Sequence, residues 1–364
     1  MKLDNSKISS LQMAILIFPM VIATGDLLLP AVMSHHADRD AWISVILSSF
    51  IGFIVVYICY QLHKAYPKLT YIQYMESILG KPLGKCAGLL TLSYFIINNA
   101  TVVRQYGEFI AGSFLPKTPM FFILGSMVLI CACAVKAGLE TLARLAEMFV
   151  PIIIILWILI ILLLIPDMNF KNITPLMANG FLPVIKGAIP PAGWYTHVMI
   201  IAFLLPSVTD QEKGLKWGMI SVFGIFLTLF FINLATLFVF GRITPSLMYP
   251  VMSAVSYISF AEFLEHLESV IMAIWVTGAF LKISLYFYIA NLCFKQVFNL
   301  SNERSTVFPL AGLIIILSFW VSPNFQELVQ FLRSVSPFVN LTFEMMIPAI
   351  LLFTLIIRRT LLSS

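Results

Sequence analysis

Long runs of apolar residues, almost free of charge, are the feature that most constrains how this chain folds. Three of them cover residues 11–29, 43–60 and 152–165. A bilayer core is about 30 Å thick, and a helix needs about 20 apolar residues to cross it. Because lipid offers no partners to backbone N–H and C=O groups, such runs cross as helices. With 60% apolar and 11% charged residues, the sequence predicts an all-α polytopic membrane protein and excludes a large soluble one.

The alternation of apolar runs with charged segments predicts ten spans, where a span is one transmembrane segment. They cover about residues 11–33, 41–63, 83–114, 120–135, 147–165, 183–206, 215–240, 264–298, 306–321 and 336–357. An even number places both termini on one side. Segments on that side hold 14 Lys and Arg, and those on the other side hold 6. The positive-inside rule therefore predicts cytoplasmic termini, and the net charge of +5 follows from this orientation without implying nucleic acid.

The two halves of the chain carry matching irregularities in the same order. Proline and glycine interrupt the first span of each half, at Pro19, Gly25, Pro30, Pro183, Pro190, Pro191, Gly193 and Pro206. Because five is odd, the second half enters the membrane from the opposite face. We therefore predict one integral membrane domain, 1–364, built as a 5+5 inverted repeat (about 11–165 and 183–357), with the first and sixth spans discontinuous. Simple kinks are the alternative.

Broken helices in lipid expose backbone groups, which are tolerated only where they face protein or a wet cavity. The predicted breaks therefore mark a candidate ligand site. At the first break, Thr24 and the backbone at Gly25 are placed to fix a polar headgroup. At the second, aromatic walls, a hydroxyl and an imidazole follow one another, at Trp194, Tyr195, Thr196 and His197. This set suits a small polar or zwitterionic ligand, and an interfacial aromatic cluster is the alternative.

Two charged residues lie deep in the predicted spans. Asp26 is 15 residues from the start of the first span, and Lys282 is 16 residues from the end of the eighth. At 1.5 Å per residue, both are roughly 22–24 Å deep. We expect them within about 4 Å of each other, because an isolated charge in lipid is costly. The pair is either a structural latch or part of the ligand site, and Tyr286 lies one turn from Lys282 on the same face.

The remaining polar residues in the spans have two interpretations. Asn98 and Glu344 lie at midplane depth, where they suit helix–helix hydrogen bonding better than ligand binding. Asn98 is nevertheless kept in the candidate ligand set. Arg104 and Glu108, four residues apart, are typical of an intrahelical pair or a gate. The five cysteines have no metal-ligand spacing, and the sequence contains no nucleotide loop or nucleophile motif. No metal, cofactor or enzymatic activity is therefore expected.

Motifs along nearly the whole chain resemble one family. They are TGDLLLP (24–30), AWI (41–43), YPKL (66–69), LGKPLG (79–84), KTP (117–119), ARL (143–145), ITPL (173–176) and FLEHLES (263–269), followed by Trp275. They resemble the B subunits of spore germinant receptors, within the amino acid–polyamine–organocation transporter superfamily. Asp26 and Lys282 depart from that family's pattern, which has uncharged residues there.

The resemblance implies a leucine-transporter-like fold around a small-molecule pocket. It further implies nutrient sensing in the spore inner membrane, together with A and C receptor subunits. We therefore expect a non-enzymatic receptor subunit that binds a small nutrient, with an amino acid as the leading candidate. The alternative is a secondary amino-acid transporter of the same fold, driven by H⁺ or Na⁺. A purely structural scaffold fits less well, because a scaffold does not need charges at the midplane.

Overall fold

The computed structural model describes residues 7–256, 267–300 and 304–363. These residues form helices joined by short turns, with one isolated β-bridge between Ile8 and Val208. The α-helices are α1 (Ser10–Ala37), α2 (Ala41–Ala65), α3 (Tyr71–Leu79), α4 (Lys81–Ser113), α5 (Met120–Ala137), α6 (Leu139–Leu164), α7 (Leu182–Tyr195), α8 (Ile201–Leu204), α9 (Gly214–Phe240), α10 (Pro250–Ser256), α11 (Glu268–Val297), α12 (Val307–Trp320), α13 (Phe325–Ser334), α14 (Ser336–Leu341) and α15 (Ile347–Ser363).

Length and composition identify the membrane crossings. Eight described stretches are long and apolar enough to cross, and the pair α12–α13, bent by 97°, makes a ninth. One stretch, Ser10–Ala65, contains both α1 and α2, separated by the turn Asp38–Asp40. Its 56 residues would be about 84 Å long as one helix. Both halves instead pack on α7 and α9, so they are two antiparallel spans. The total becomes the ten that the sequence predicts.

The predicted eighth span corresponds to α11, but its predicted start at residue 264 lies outside the described residues, as do residues 263–266 of the FLEHLES motif. The sixth span consists of α7, a 3₁₀ turn (Thr196–Ile200) and α8. The tenth consists of α14, a π-helical turn (Thr342–Met346) and α15. The third, fourth, fifth and seventh spans are α4, α5, α6 and α9, and the ninth is the bent pair α12–α13.

Helix contacts repeat between the two halves of the chain. α1 packs on α9, and its counterpart α7 packs on α2; α1 packs on α6, and α7 packs on α14. Likewise, α11 packs on α5 while α4 packs on α12. The pairs α1–α7, α2–α9 and α4–α11 each join a helix to its own counterpart. This pattern is what an inverted 5+5 repeat produces, although the repeat boundaries near 11–165 and 183–357 stay a prediction.

The predicted break in the first span is wrong. α1 is a continuous α-helix from Ser10 to Ala37, with Pro19 and Pro30 inside it. Each proline removes one backbone hydrogen bond, and in membrane proteins packing against neighbouring helices compensates for that loss. Gly25 lies inside this helix: a Cβ there would lie 3.1 Å from Leu29 of the same helix and 3.6 Å from both Leu229 and Trp194. The last two distances are ordinary van der Waals contacts with α9 and α7.

The irregularity in the sixth span lies further along the chain than predicted. α7 continues through Pro190 and Pro191 to Tyr195, and only then does the chain tighten into the 3₁₀ turn. The predicted break at residues 190–193 is therefore wrong in position. Gly193 marks a close approach of two spans, because a Cβ there would lie 2.5 Å from the Cα of Pro337 in α14.

Candidate functional site

A cluster of buried polar side chains lies where α1, the sixth span, α11 and the tenth span meet. Its first centre is the Thr24 hydroxyl on α1. The Trp194 indole N–H donates to Thr24 Oγ1 at 3.0 Å, and the Lys282 ammonium donates to the same oxygen at 2.7 Å. All three residues are buried. The sequence placed all three in the candidate site, and the structure brings them into direct contact.

The expected ion pair between Asp26 and Lys282 is wrong. Among the described residues, both carboxylate oxygens of Asp26 are buried without a hydrogen-bond partner. The carboxylate lies among Phe18, Ile153 and Gly278. The reason is geometric: α1 stays helical, so Thr24 and Asp26, two positions apart, project about 200° from each other. Lys282 reaches the face of Thr24 and therefore not that of Asp26.

The second centre of the cluster is Glu344, which is fully buried in the π-helical turn. Its Oε2 atom lies 2.8 Å from the Thr196 hydroxyl and 2.8 Å from Nδ1 of His197. The Thr196 hydroxyl is also 2.8 Å from the carbonyl oxygen of Gly193. The other carboxylate oxygen of Glu344, Oε1, has no hydrogen-bond partner among the described residues. One side of the carboxylate is thus bound, and the other is available.

Tyr286 joins the two centres. Its ring lies edge-on to the His197 ring, with centroids 5.7 Å apart. The Lys282 ammonium lies 5.9 Å from the centroid of the same ring, within the range of a cation–π attraction. The resulting central cluster comprises Thr24, Trp194, Thr196, His197, Lys282, Tyr286 and Glu344. It places one amino group and one carboxyl group near a buried aromatic ring.

Glu344 is the member of the cluster that sequence reasoning assigned to helix packing. The signal in the sequence was a lone carboxylate in the middle of an apolar span. What the sequence did not show is the π-helical turn at Thr342–Met346, whose extra residue re-aims the side chains that follow. Such turns occur frequently at functional sites.

Two other candidates lie outside the central cluster, although the Asn98 side chain comes close to the Tyr286 hydroxyl. Tyr195 is buried against α2, where a Cβ on Gly52 would lie 3.2 Å from its ring. Asn98 donates from Nδ2 to the Tyr94 hydroxyl at 2.9 Å and lines a separate cavity between α4 and α14. With Asp26, these residues make three sequence candidates that the structure does not place in contact with Thr24 or Glu344.

The cavities beside the central cluster are very small. One of about 20 Å³ is lined by Thr24, Gln105 and Trp275, and one of about 10 Å³ is lined by Asp26. A single water needs about 10–15 Å³ measured in this way. Neither cavity has room for an amino acid or a sugar, and we call this arrangement of the spans the closed conformation. No group of three or more potential metal ligands occurs among the described residues.

The site is closed on one side by a pair of charges and a layer of aromatic rings. Arg104 and Glu108 form the predicted intrahelical ion pair at 2.7 Å, and Arg104 also donates to the carbonyl of Ser318 at 3.4 Å. Beside them, the rings of Phe109 and Trp275 lie 4.1 Å apart between centroids. These contacts join the third span to the eighth and ninth.

On the opposite side, hydrogen bonds to the loop after the sixth span hold the start of α1. The Asp210 carboxylate accepts hydrogen bonds from the Ser10 backbone N–H at 2.8 Å and from the Ser10 hydroxyl at 2.7 Å. These bonds lower the pKa of Asp210 below its usual value. Gln12 donates to Glu147 at 3.0 Å. The contacts link the first span to the loop after the sixth and to the fifth span.

The fold and the buried site define a class: helical membrane proteins with the leucine-transporter-like fold. MhsT in complex with L-phenylalanine superposes with a TM-score of 0.68 and 14% identity, covering 93% of this chain and 88% of that one. Mhp1, a nucleobase-cation-symport-1 family transporter, superposes with a TM-score of 0.68 and 10% identity, covering 90% and 75%. At these identities the likeness concerns the fold.

The sequence relatives are more specific. The profile described as "Spore germination protein" matches residues 7–326. Spore germination protein KB of Bacillus subtilis (strain 168) is 28% identical over 357 residues, 96% of this chain and 94% of that protein. Spore germination protein YndE of the same strain is 28% identical over 320 residues, covering 86% and 87%. The chain belongs to the spore germination protein family.

Proposed function

We propose that this protein is the membrane-embedded B-type subunit of a spore germinant receptor. It binds a small nutrient in the central cluster and signals germination together with A and C subunits. It lies in the spore inner membrane with both termini in the cytoplasm, and it performs no enzymatic reaction. The match of the family profile to residues 7–326 is the observation that carries this proposal.

The chemistry of the central cluster supports a zwitterionic ligand. Inserting a charged side chain at the centre of a span costs at least about 2.5 kcal/mol, so Lys282 and Glu344 need a reason to be there. In the closed conformation, Lys282 contacts a neutral hydroxyl and Glu344 leaves Oε1 free. An amino acid supplies both missing partners, with its carboxylate on Lys282 and its ammonium on Glu344.

The remaining candidates have subordinate roles in this proposal. Trp194 and Tyr286 supply aromatic walls, while Thr24, Thr196 and His197 offer hydrogen bonds. Gly25 lies next to Thr24 in the continuous helix α1. Asp26, Asn98 and Tyr195 lie outside the cluster and contact the ligand only if the spans rearrange on opening.

Secondary transport is the second candidate function. It is favoured by the fold, since structural neighbours include a Na⁺-coupled sialic acid symporter with a TM-score of 0.67. A transporter moves its substrate across the membrane, whereas a receptor subunit binds its ligand without moving it across. Proteoliposomes containing only this chain should show no saturable, gradient-coupled uptake of labelled amino acids. Such uptake would overturn the receptor proposal.

A germination assay with single compounds identifies the ligand. Spores with this subunit and spores lacking it are exposed to single amino acids, sugars and inorganic ions, and germination is followed by loss of optical density. We expect a response to at least one amino acid that disappears without the subunit. A response to sugars or ions alone would retain the receptor and exclude the zwitterion.

A further inference from the structure

A larger cavity lies outside the central cluster, between the third and tenth spans. It has a volume of about 180 Å³ and is bordered by α4, α13 and α14. Leu90 and Ile97 at its rim are 60% and 50% exposed. Because exposed apolar side chains in a span face lipid, this cavity opens sideways into the bilayer. We call it the lateral site.

The floor of the lateral site is polar. The Tyr94 hydroxyl donates to Asn340 Oδ1 at 3.1 Å and accepts from Asn98 Nδ2 at 2.9 Å. Asn98 is partly exposed and lines the cavity, so its side chain is a polar group that a ligand in the cavity reaches. None of the described residues that line the cavity is charged. The lining therefore favours an uncharged molecule with a hydrogen-bonding group.

The size and the walls of the lateral site restrict which molecules fit in it. The rings of Tyr94 and Phe343 stack with centroids 4.6 Å apart and an angle of 6° between their planes, which makes one wall aromatic. An apolar cavity of about 150 Å³ binds benzene. The lateral site therefore has room for one aromatic ring with a small polar substituent.

We infer that the lateral site binds small uncharged aromatic alcohols that dissolve in the bilayer, with the ring between the apolar walls and the hydroxyl on Asn98. Its preference is opposite to that of the central cluster, where Lys282 and Glu344 select charged groups.

The lateral site is connected to the sixth span. Asn340 Nδ2 donates to the carbonyl of Gly193 at 3.3 Å, and Gly193 immediately precedes the part of α7 that contacts Thr24. A ligand hydroxyl on Asn98 competes with the Tyr94 hydroxyl, which in turn bonds to Asn340, so the ligand acts on the sixth span without entering the central cluster. This makes the lateral site a place for modulators distinct from the nutrient.

The test is binding of 4-fluorobenzyl alcohol to the purified full-length protein in lipid nanodiscs, followed by ¹⁹F NMR against empty nanodiscs. Ile97→Trp fills the cavity from its lipid-facing rim and should abolish saturable binding. Ile130→Trp is the matched control, because Ile130 is 59% exposed on α5, away from the cavity. Size-exclusion elution checks that each variant is folded.

Asn98→Leu keeps the volume and removes the amide. It should weaken binding of the alcohol about five- to tenfold, the worth of one hydrogen bond, while leaving 4-fluorotoluene unaffected. 4-Fluorobenzoate should not compete. Saturable binding that survives Ile97→Trp, a matching loss in Ile130→Trp, no binding above empty nanodiscs, or equal competition by the benzoate would each overturn the inference.

Discussion

At the residue scale, the Thr24 hydroxyl is the group on which two buried donors depend. It accepts from Trp194 and from Lys282, and the Lys282 ammonium is almost fully buried. A buried cation that loses its hydrogen-bond acceptor keeps its desolvation penalty without compensation. The stability of the closed conformation is therefore sensitive to one oxygen atom.

Thr24→Val removes that oxygen and preserves the shape of the side chain. We expect a loss of about 1.5–3 kcal/mol in unfolding free energy, the range for a hydrogen bond to a charged group. Thermal unfolding of the purified protein measures it. The control is Thr101→Val, whose hydroxyl, within the described part of the chain, bonds to the Ile97 carbonyl of its own helix. Equal effects of the two substitutions would show that Lys282 does not rely on Thr24.

Asp26 presents the opposite case, because its carboxylate has no hydrogen-bond partner among the described residues. Replacing an unpaired buried polar group by an apolar one of similar size is usually neutral or stabilising. Asp26→Leu should therefore leave the melting temperature unchanged or raise it. A fall of several degrees would indicate a partner that the closed conformation does not show. Loss of the nutrient response in a stable variant would assign Asp26 to signalling.

At the scale of helices, the close contact of the sixth and tenth spans is the most demanding packing feature. A Cβ on Gly193 would meet the backbone of Pro337 at 2.5 Å, and backbone atoms cannot move aside cheaply. Thr196 and Asn340 bind across the same junction. The position of Glu344 relative to His197 therefore depends on this glycine.

Gly193→Ala should cost about 1–3 kcal/mol through overpacking and reduce the nutrient response, because the junction must widen. Gly125→Ala is the control, since nothing lies within 4 Å of a Cβ there. Melting temperature and subunit level are measured for both. If Gly193→Ala behaves like Gly125→Ala, the junction is not tightly packed.

The sequence predicts the helices better than their irregularities. Apolar runs separated by charges place the spans, because the bilayer imposes both length and composition. Proline and glycine do not decide between a break, a kink and a close contact, because neighbouring helices make that choice. Hence α1 is continuous, the sixth span changes to a 3₁₀ turn only at Thr196, after the predicted break at residues 190–193, and the π-helical turn at Glu344 had no signature.

The candidate site was predicted in part for the same reason. Side chains that follow one another in the sixth span, such as Trp194, Thr196 and His197, were placed near Thr24 and Lys282. Depth alone suggested an Asp26–Lys282 pair. Depth does not specify which face of a helix a residue occupies, and a continuous α1 turns Asp26 away. Which of these residues contact a ligand stays a prediction.

At the scale of the whole molecule, the protein is held closed from both ends. Arg104 and Glu108 with the aromatic layer close one side, and the contact of Ser10 with Asp210 ties the start of α1 on the other. Because α1 also carries Thr24, movement of its first turn is coupled to the central cluster.

The Ser10–Asp210 contact predicts a specific pH dependence. The hydrogen bonds from Ser10 lower the pKa of Asp210 below the ordinary value of an aspartate carboxyl. A carboxyl whose pKa is lowered by folding adds stability above the unfolded-state pKa, and this stability is lost as pH falls through the folded-state pKa. Thermal unfolding between pH 5 and pH 2.5 (about the range of an Asp titration) should show that loss.

Asp210→Asn should reduce the stability at pH 5 and flatten its fall below pH 4 (about the Asp pKa). Glu212→Gln, an exposed substitution in the same loop, should leave the wild-type profile. A profile for Asp210→Asn that matches wild type would show that the contact does not hold α1.

The most direct test of the central claim is the nutrient dose–response of spores carrying Lys282→Met. This change keeps the length and apolar stem of the side chain and removes its charge. With subunit level confirmed by immunoblot and Lys85→Met as an exposed control, we predict at least a tenfold rise, about 1.4 kcal/mol, in the nutrient concentration for half-maximal germination. An unchanged dose–response at normal subunit level would contradict the assignment of the central cluster as the nutrient site.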